Sequence, residues 1–240
     1  GTTLEFLQDA AKRFNDQQSK YIVDLSYQGS YNDVLTKVRT TRKENLPEVF
    51  ASNGTGVASI ANTDLFTPLQ DFIDAEGYDM SDIMINLKGN YSRNGRWIAM
   101  PLGNTVVGFF YNEEMLEKAG VDPRKDFNSY EEMLVAIEKI ANAGVAKYPY
   151  YFNKSSDFFV WSIVAQGLKY VDKDNGKEGV PTKSLFLEDK EVYEATLAFF
   201  NFLKTVFEKG WAVPYDNDYS PTREQFANGE VAILQGYSSG

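Results

Sequence analysis

"IAMPLGNTVVGFFYN" spans Ile98 to Asn112 and separates two halves of the chain. It reads as two strand-like runs broken by Pro101, Gly103 and Asn104. A short helical stretch, "NEEMLEKAGVDP", follows from Asn112 and stops at Gly120. On either side, strand-like and helix-like segments alternate. That alternation predicts an α/β fold with mainly parallel strand pairing. The break near Phe109–Asn112 predicts two lobes, residues 1–110 and 111–240.

Upstream, Leu4, Leu7, Ala11 and Phe14 share one helical face, with Thr2 and Glu5 at capping-box spacing. "YIVDLSY" (Tyr21–Tyr27) puts Tyr21, Val23, Leu25 and Tyr27 on one side, as a strand does. Ser30 and Asp33 open a helix that runs through Val34, Leu35 and Val38. "PEVFA" (Pro47–Ala51) reads as a short buried strand, followed by the loop "SNGTG" and a helix from about Val57. Thr67–Gly77 has Pro68 near its start and Gly77 past its end, the favoured helical asymmetry. Asn94-Gly95 is a hairpin signal.

Downstream, Ser129 and Glu132 cap a helix carried by Met133, Leu134, Ile137 and Ile140. "YPYYF" (Tyr148–Phe152) is a strand, and helices follow at about Ser156–Gly167 and Asp189–Lys209. Ser220-Pro221 starts the last helix, and "EVAILQG" (Glu230–Gly236) is the last strand.

With 240 residues, 43% of them hydrophobic, the chain can build one large domain or two small ones. The net charge of −10, without a Lys/Arg cluster, argues against nucleic acid as a partner. Absence of Cys excludes thiolate metal sites, thiol catalysis and disulfides. Absence of His removes the commonest general base and metal ligand. An enzyme built on this chain would rely on carboxylates, Lys or Tyr. No apolar run is long enough to span a membrane. Gly1-Thr2-Thr3 leads into a helix without a signal peptide, so the segment reads as cytoplasmic by default or as a mature or trimmed form.

In open α/β sheets ligands bind beyond the carboxyl ends of strands. Five small, polar loops stand there: Gly29–Tyr31, Ser52–Gly56, Gly103–Thr105, Asn153–Asp157 and Gly236–Gly240. Gly lets backbone approach a ligand, while Asn, Ser and Thr hydrogen-bond it. Any one of them is simply a turn; the weight lies in all five following strands. Aromatic content of 15% suits a cleft lined with flat rings, and equally an ordinary core. No phosphate-binding glycine fingerprint or nucleophile elbow is present, and without His no hydrolase triad forms. A pair of carboxylates of the glycosidase kind is possible by residue type alone. "DKDNGKEG" (Asp172–Gly179) resembles a calcium loop but lacks its ligand spacing.

Several stretches together resemble one family: "AAKRFNDQ" (Ala10–Gln17), "YQGSYNDVLTKV" (Tyr27–Val38), "NLPEVFA" (Asn45–Ala51), "IAMPLGNTVVGFFYNEEMLEKAGV" (Ile98–Val121) and "FANGEVAILQG" (Phe226–Gly236). In order and spacing they resemble the extracellular solute-binding proteins of bacterial ABC importers, the branch with maltose-binding and glycerol-3-phosphate-binding members. The resemblance implies a two-lobe, periplasmic-binding-protein-like α/β fold that closes on its ligand in the cleft between lobes. It implies no catalysis and no cofactor. The expected ligand is a mono- or oligosaccharide, with glycerol 3-phosphate or a related phosphodiester as the alternative and a carboxylate-based glycoside-active enzyme as a lesser one. The expected partner is an ABC-transporter permease, a membrane-bound sensor being a further possibility. The expected location is extracellular, at the cell surface or in the periplasm, with membrane contact only through the permease or a lipoprotein anchor outside this sequence.

By position, Tyr31 matches the aromatic of the family's G-S-Y. Asn53 and Gly54 stand where the glycerol-3-phosphate branch has Tyr-Glu, and the missing acid weighs against that ligand. Asn104 and Thr105 match the small polar pair of the crossing segment, and Tyr237 and Ser238 the loop after the last strand. Asp157 and Trp161 fall where the family places a sugar-stacking aromatic, though Trp161 reads equally well as core. Trp97 reads as hairpin packing. No Arg falls in the five loops, which favours an uncharged ligand. The resemblance also implies an incomplete chain, lacking the family's first strand and its return to the first lobe. Residues 1–240 alone are therefore expected not to form a stable, ligand-competent monomer.

Overall fold

The computed structural model describes residues 2–61, 63–84, 87–152, 156–213 and 220–238. They form two compact units, Gly1–Met100 and Pro101–Gly240.

The first unit contains α1 (Thr2–Gln17), α2 (Tyr31–Thr40), a 3-10 turn (Lys43–Asn45), α3 (Gly54–Ile60), α4 (Leu69–Glu76), α5 (Lys88–Tyr91) and a hairpin of β1 (Ser92–Arg93) and β2 (Arg96–Trp97). Local chemistry sets these ends. Ser30 accepts from the Asp33 N–H while Asp33 accepts from the Ser30 N–H, the expected capping box. Those bonds hold the Asp33 carboxyl below its usual range. Asn53 caps α3 by accepting from the Gly56 N–H at 2.8 Å, so the helix begins three residues before Val57. Asn94 and Gly95 take φ of 50° and 78°, as a two-residue hairpin turn requires. Leu35 and Val38 of α2 and Val57 and Ile60 of α3 are buried where the two helices are in contact, and Trp97 is buried in the hairpin as predicted.

Two predicted strands are absent from this unit. Tyr21–Tyr27 makes no ladder, and Tyr21, Ile22 and Tyr27 are 60%, 83% and 78% exposed. Asn15 instead grips Val23, accepting from its N–H at 2.8 Å and donating to its carbonyl at 2.9 Å. Gln18 does the same for Tyr21. Pro47–Ala51 is likewise irregular, with Val49 87% exposed. Alternation chooses which side chains share a face, but a strand forms only beside a neighbouring edge. Among the described residues neither run pairs with a strand, and the one ladder of this unit is the short hairpin of β1 and β2.

The second unit holds β3 (Val107–Tyr111), α6 (Glu113–Lys118), α7 (Tyr130–Ala143), β4 (Tyr148–Tyr151), α8 (Ser156–Val164), α9 (Asp172–Gly176), α10 (Lys190–Glu208), α11 (Ser220–Ala227) and β5 (Val231–Tyr237). Its sheet has the order β3-β5-β4. β5 runs parallel to β4 and antiparallel to β3, so the sheet is mixed rather than mainly parallel. An antiparallel strand at the edge of an otherwise parallel sheet is a common arrangement. Within Ile98–Asn112 only Val107–Tyr111 is a strand of this sheet. Its pairing with β5 places it in the second unit.

β5 is buried from Val231 to Gly236, which explains its nearly continuous apolar run. Ile137 and Ile140 of α7, Phe202 and Val206 of α10, Leu116, Tyr150 and Ile233 form the main core. α7 begins at the Ser129 cap and ends at Gly144, whose φ of 62° is the left-handed helix stop.

Candidate functional site

The register of the sheet gathers three chain segments on one edge. Val107 opposes Tyr237, and Tyr151 lies beside Leu234 in the parallel pair. The carboxyl ends of β4 and β5 and the amino end of β3 therefore share an edge. The approach to β3 (101–106), the first turn of α8 and Tyr237-Ser238 meet there.

Hydrogen bonds lock these segments together. The Ser238 N–H donates to the Val106 carbonyl at 2.9 Å, and the Val106 N–H donates to Ser238 Oγ at 3.1 Å. Thr105 Oγ1 lies 3.3 Å from Ser238 Oγ. The Tyr237 hydroxyl donates to Asp157 Oδ2 at 3.1 Å. Asn104 and Thr105 are exposed beside them. Asp157 sits in the first turn of α8 and Trp161 one turn later, half-buried. Of the residues predicted from sequence, Thr105, Asp157, Tyr237 and Ser238 are thus joined by hydrogen bonds. Asn104 adjoins Thr105, and Trp161 lies on the helix that carries Asp157. Asn153 and the residues following Ser238 lie outside the described residues.

Tyr31, Asn53 and Gly54 belong to the first unit, at the amino ends of α2 and α3. Tyr31 is 48% exposed. The Asn53 side chain serves as a helix cap, which is sufficient structural reason for an Asn there. A Cβ on Gly54 would meet open space.

Sequence reasoning missed Phe158 and Phe152. Phe158, read only as part of a helix, is fully buried, with its ring 4.9 Å from that of Tyr237 at 63°. Phe152 stands behind it, 6.5 Å away. The aromatic density of "YPYYF" and "SDFFVW" was the available signal.

The segment that resembled a calcium loop spends its polar groups on the chain itself. Asp172 accepts from the Thr182 N–H and hydroxyl, each at 2.8 Å, and those bonds lower its pKa. Asn175 accepts from the Tyr170 N–H at 2.9 Å. Lys173, Asp174 and Asn175 take φ of 52°, 51° and 54°, so α9 is a left-handed turn. Among the described residues, no group of three or more acidic side chains is placed to hold a metal ion.

Comparison with known proteins sets this geometry in context. A family model described as bacterial extracellular solute-binding protein matches residues 9–240. The sn-glycerol-3-phosphate-binding periplasmic protein UgpB of Escherichia coli O1:K1 is 23% identical over 233 residues, covering 93% of this chain and 51% of that protein. The chain thus spans about half the length of the curated relatives it matches. UgpB from Mycobacterium tuberculosis, solved with glycerophosphocholine, superposes with a TM-score of 0.75 at 24% identity, over 96% of this chain and 57% of that one. The substrate-binding protein Lmo0181 from Listeria monocytogenes, solved with cycloalternan, gives 0.74 at 20% identity, with coverages of 96% and 57%. The fold is therefore that of the two-lobe α/β periplasmic binding proteins, of which this chain carries part.

Proposed function

The chain belongs to the bacterial extracellular solute-binding proteins, and from that premise we propose that its second unit supplies one wall of a site for an uncharged, polyhydroxylated solute, a mono- or oligosaccharide. The observation that carries this reading is the edge formed by Asn104, Thr105, Asp157, Tyr237 and Ser238. It offers amide and hydroxyl groups, an aromatic ring and one carboxylate. Such groups hold sugar hydroxyls by hydrogen bonds and sugar C–H faces by stacking. No Lys or Arg lies among residues 101–106, 156–157 and 237–238; Lys154 falls outside the described residues. A phosphate would call for such a cation or for a helix amino terminus, and the amino end of α8 on this edge already carries the Asp157 carboxylate in its first turn.

In this reading Tyr31, Asn53 and Gly54 are further ligand-contacting residues. The protein works outside the cytoplasmic membrane and hands its ligand to an ABC-transporter permease. It performs no reaction. Glycoside hydrolysis needs two carboxyl groups flanking the bond, and Asp157 is the only carboxylate of the edge among the described residues.

A second reading, a glycerophosphodiester ligand, is favoured by the likeness to the two UgpB proteins. Calorimetry of the whole protein separates the two. Maltose and maltotriose are expected to bind, while sn-glycerol 3-phosphate and glycerophosphocholine are not. Binding of the phosphates alone reverses the choice. Turnover of a chromogenic glycoside would overturn the reading of a binding protein.

A further inference from the structure

Four Asn-Gly pairs stand in the chain: Asn53-Gly54, Asn94-Gly95, Asn175-Gly176 and Asn228-Gly229. Before Gly, the next backbone nitrogen reaches the Asn side-chain carbon most readily, because Gly has no Cβ to block the approach. The structure treats the four pairs differently. Asn53 Oδ1 accepts from the Gly56 N–H at 2.8 Å as the cap of α3. Asn175 Oδ1 accepts from the Tyr170 N–H at 2.9 Å and the Val171 N–H at 3.3 Å. At Asn228 the attacking nitrogen is engaged, since the Gly229 N–H donates to the Phe226 carbonyl at 3.0 Å. At Asn94 neither restraint exists. Asn94 and Gly95 are exposed, and among the described residues no hydrogen bond holds the Asn94 side chain or the Gly95 N–H. Ring closure requires rotation at the turn, and strands of two residues on each side give way locally at little cost.

We propose that Asn94 is a site of spontaneous covalent modification, the Asn-Gly pair of this chain that deamidates first, and that the change unlocks the β1–β2 hairpin from α4. The Gly95 nitrogen gives its proton to hydroxide and attacks Asn94 Cγ. The N–Cγ bond forms, the Cγ–Nδ2 bond breaks, and ammonia leaves with a proton from water. The succinimide then takes up one water. Cleavage between the Gly95 nitrogen and Cγ gives an aspartate; cleavage between that nitrogen and the Asn94 main-chain carbonyl carbon gives an isoaspartate. Nothing is oxidised or reduced. Isoaspartate carries the main chain through Cβ, so an extra carbon enters a turn whose register pairs Arg93 with Arg96 and Ser92 with Trp97. That register places the Trp97 backbone N–H on Gln70 Oε1 of α4 at 3.2 Å and Arg96 on Asp71. It also buries the Trp97 side chain.

The test is peptide mapping of the whole protein held in mildly alkaline buffer, with fragmentation that tells isoaspartate from aspartate. Conversion at Asn94 is expected to run at least about fivefold faster than at the other three, the factor that a restraint of helix-cap strength withholds. In urea, where these restraints are gone, the four rates are expected to converge. Faster conversion at Asn53, Asn175 or Asn228 overturns the assignment. So does an unchanged spread of rates in urea, which would make neighbouring sequence the selector. Asn94 has a φ of 50°, so Asn94→Gly suits the turn and is expected to abolish the product with the fold intact. Hydrogen exchange over Ser92–Trp97 tests the consequence. The isoaspartate form is expected to lose protection there, whereas freshly prepared Asn94→Asp, with an unchanged main chain, keeps it. Equal protection in the isoaspartate form and in Asn94→Gly overturns the unlocking.

Discussion

The hydroxyl of Tyr150 donates to Oε1 of Gln235 over 3.1 Å, joining β4 to β5 inside the second unit. The residues are 1% and 4% exposed, and burial drives the Tyr150 pKa well above its ordinary value. The phenol therefore stays protonated and donating wherever the unit is folded. Gln235→Leu strands that hydroxyl, and the expected loss is about 1–3 kcal/mol. Tyr150→Phe strands the amide oxygen at a similar cost. The double variant removes both partners and is expected to lose less than the two single losses added together. Urea denaturation of all four proteins checks this, and simple additivity would show that the pair is not coupled.

Gly56 of α3 lies against Leu35 of α2. A Cβ there would lie 2.7 Å from Leu35 Cδ1 and 2.9 Å from Asn53 Oδ1, with Ser52 Oγ also in its way. Leu35 is core, so the neighbour cannot simply swing aside. Gly56→Ala is expected to destabilise by about 1–3 kcal/mol through overpacking. Gly54→Ala, two residues earlier and facing open space, is expected to be neutral or to stabilise by up to about 1 kcal/mol. Thermal melts of the two variants make the comparison.

The capping box of α2 predicts a response to acid. Asp33 has its pKa lowered by hydrogen bonds from Ser30, so the folded state favours the carboxylate. Its contribution is full above the unfolded value of about 4 and disappears as pH falls through the lower folded value. The amino end of α2 is expected to fray in that window. Amide NMR shifts of residues 30–34 between pH 5 and pH 2 report it. The step should vanish in Asp33→Asn; its persistence there would point to another carboxylate.

Hydrogen exchange should divide the chain at Met100. The three clusters of the main core all lie within the second unit. The first unit has a small core and leaves Tyr21–Tyr27 in solvent. In the 240-residue chain, amides of β5, α7 and α10 are expected to be protected longest and those of α1 and Tyr21–Tyr27 to exchange first. Equal protection in both halves would contradict this, as would a single sharp melt raised by a sugar.

What was legible in the sequence follows the range of the forces involved. Ser30–Asp33, Ser129–Glu132, Asn94-Gly95 and Pro68…Gly77 act within a few residues, and each formed the predicted cap or turn. "YIVDLSY" and "VAILQGY" look alike as strands, but only the second lies between two neighbouring strands. No local pattern reports the presence of a partner. Antiparallel pairing of β3 was hidden for the same reason, since its partner lies more than a hundred residues away. Of the five loops expected to follow strands, the described parts of Asn153–Asp157 and Gly236–Gly240 lie at the carboxyl ends of β4 and β5, whereas Gly103–Thr105 precedes β3 and Gly29–Tyr31 and Ser52–Gly56 follow runs that form no strand. The contact of Tyr237 with Asp157 spans 80 positions, and Phe158 looked like any apolar helix residue.

Two asparagines that sequence reasoning treated alike should separate by experiment. The Asn53 side chain caps α3, a helix of seven residues, by accepting from the Gly56 N–H. Asn53→Ala removes that acceptor, and the expected loss is about 1 kcal/mol of stability. Asn104 lies exposed in the approach to β3, next to Thr105 and its contact with Ser238. Asn104→Ala is expected to leave the melt unchanged. If the edge holds a sugar, that variant instead weakens maltose binding by roughly tenfold, the loss of one or two hydrogen bonds to a desolvated ligand. Asn53→Asp and Asn53→Ser, which keep a capping oxygen, restore stability and so separate the cap from any ligand contact. Melting and calorimetry on the same four variants decide the matter: a stability loss at Asn104, or unchanged maltose affinity there, would remove it from the site.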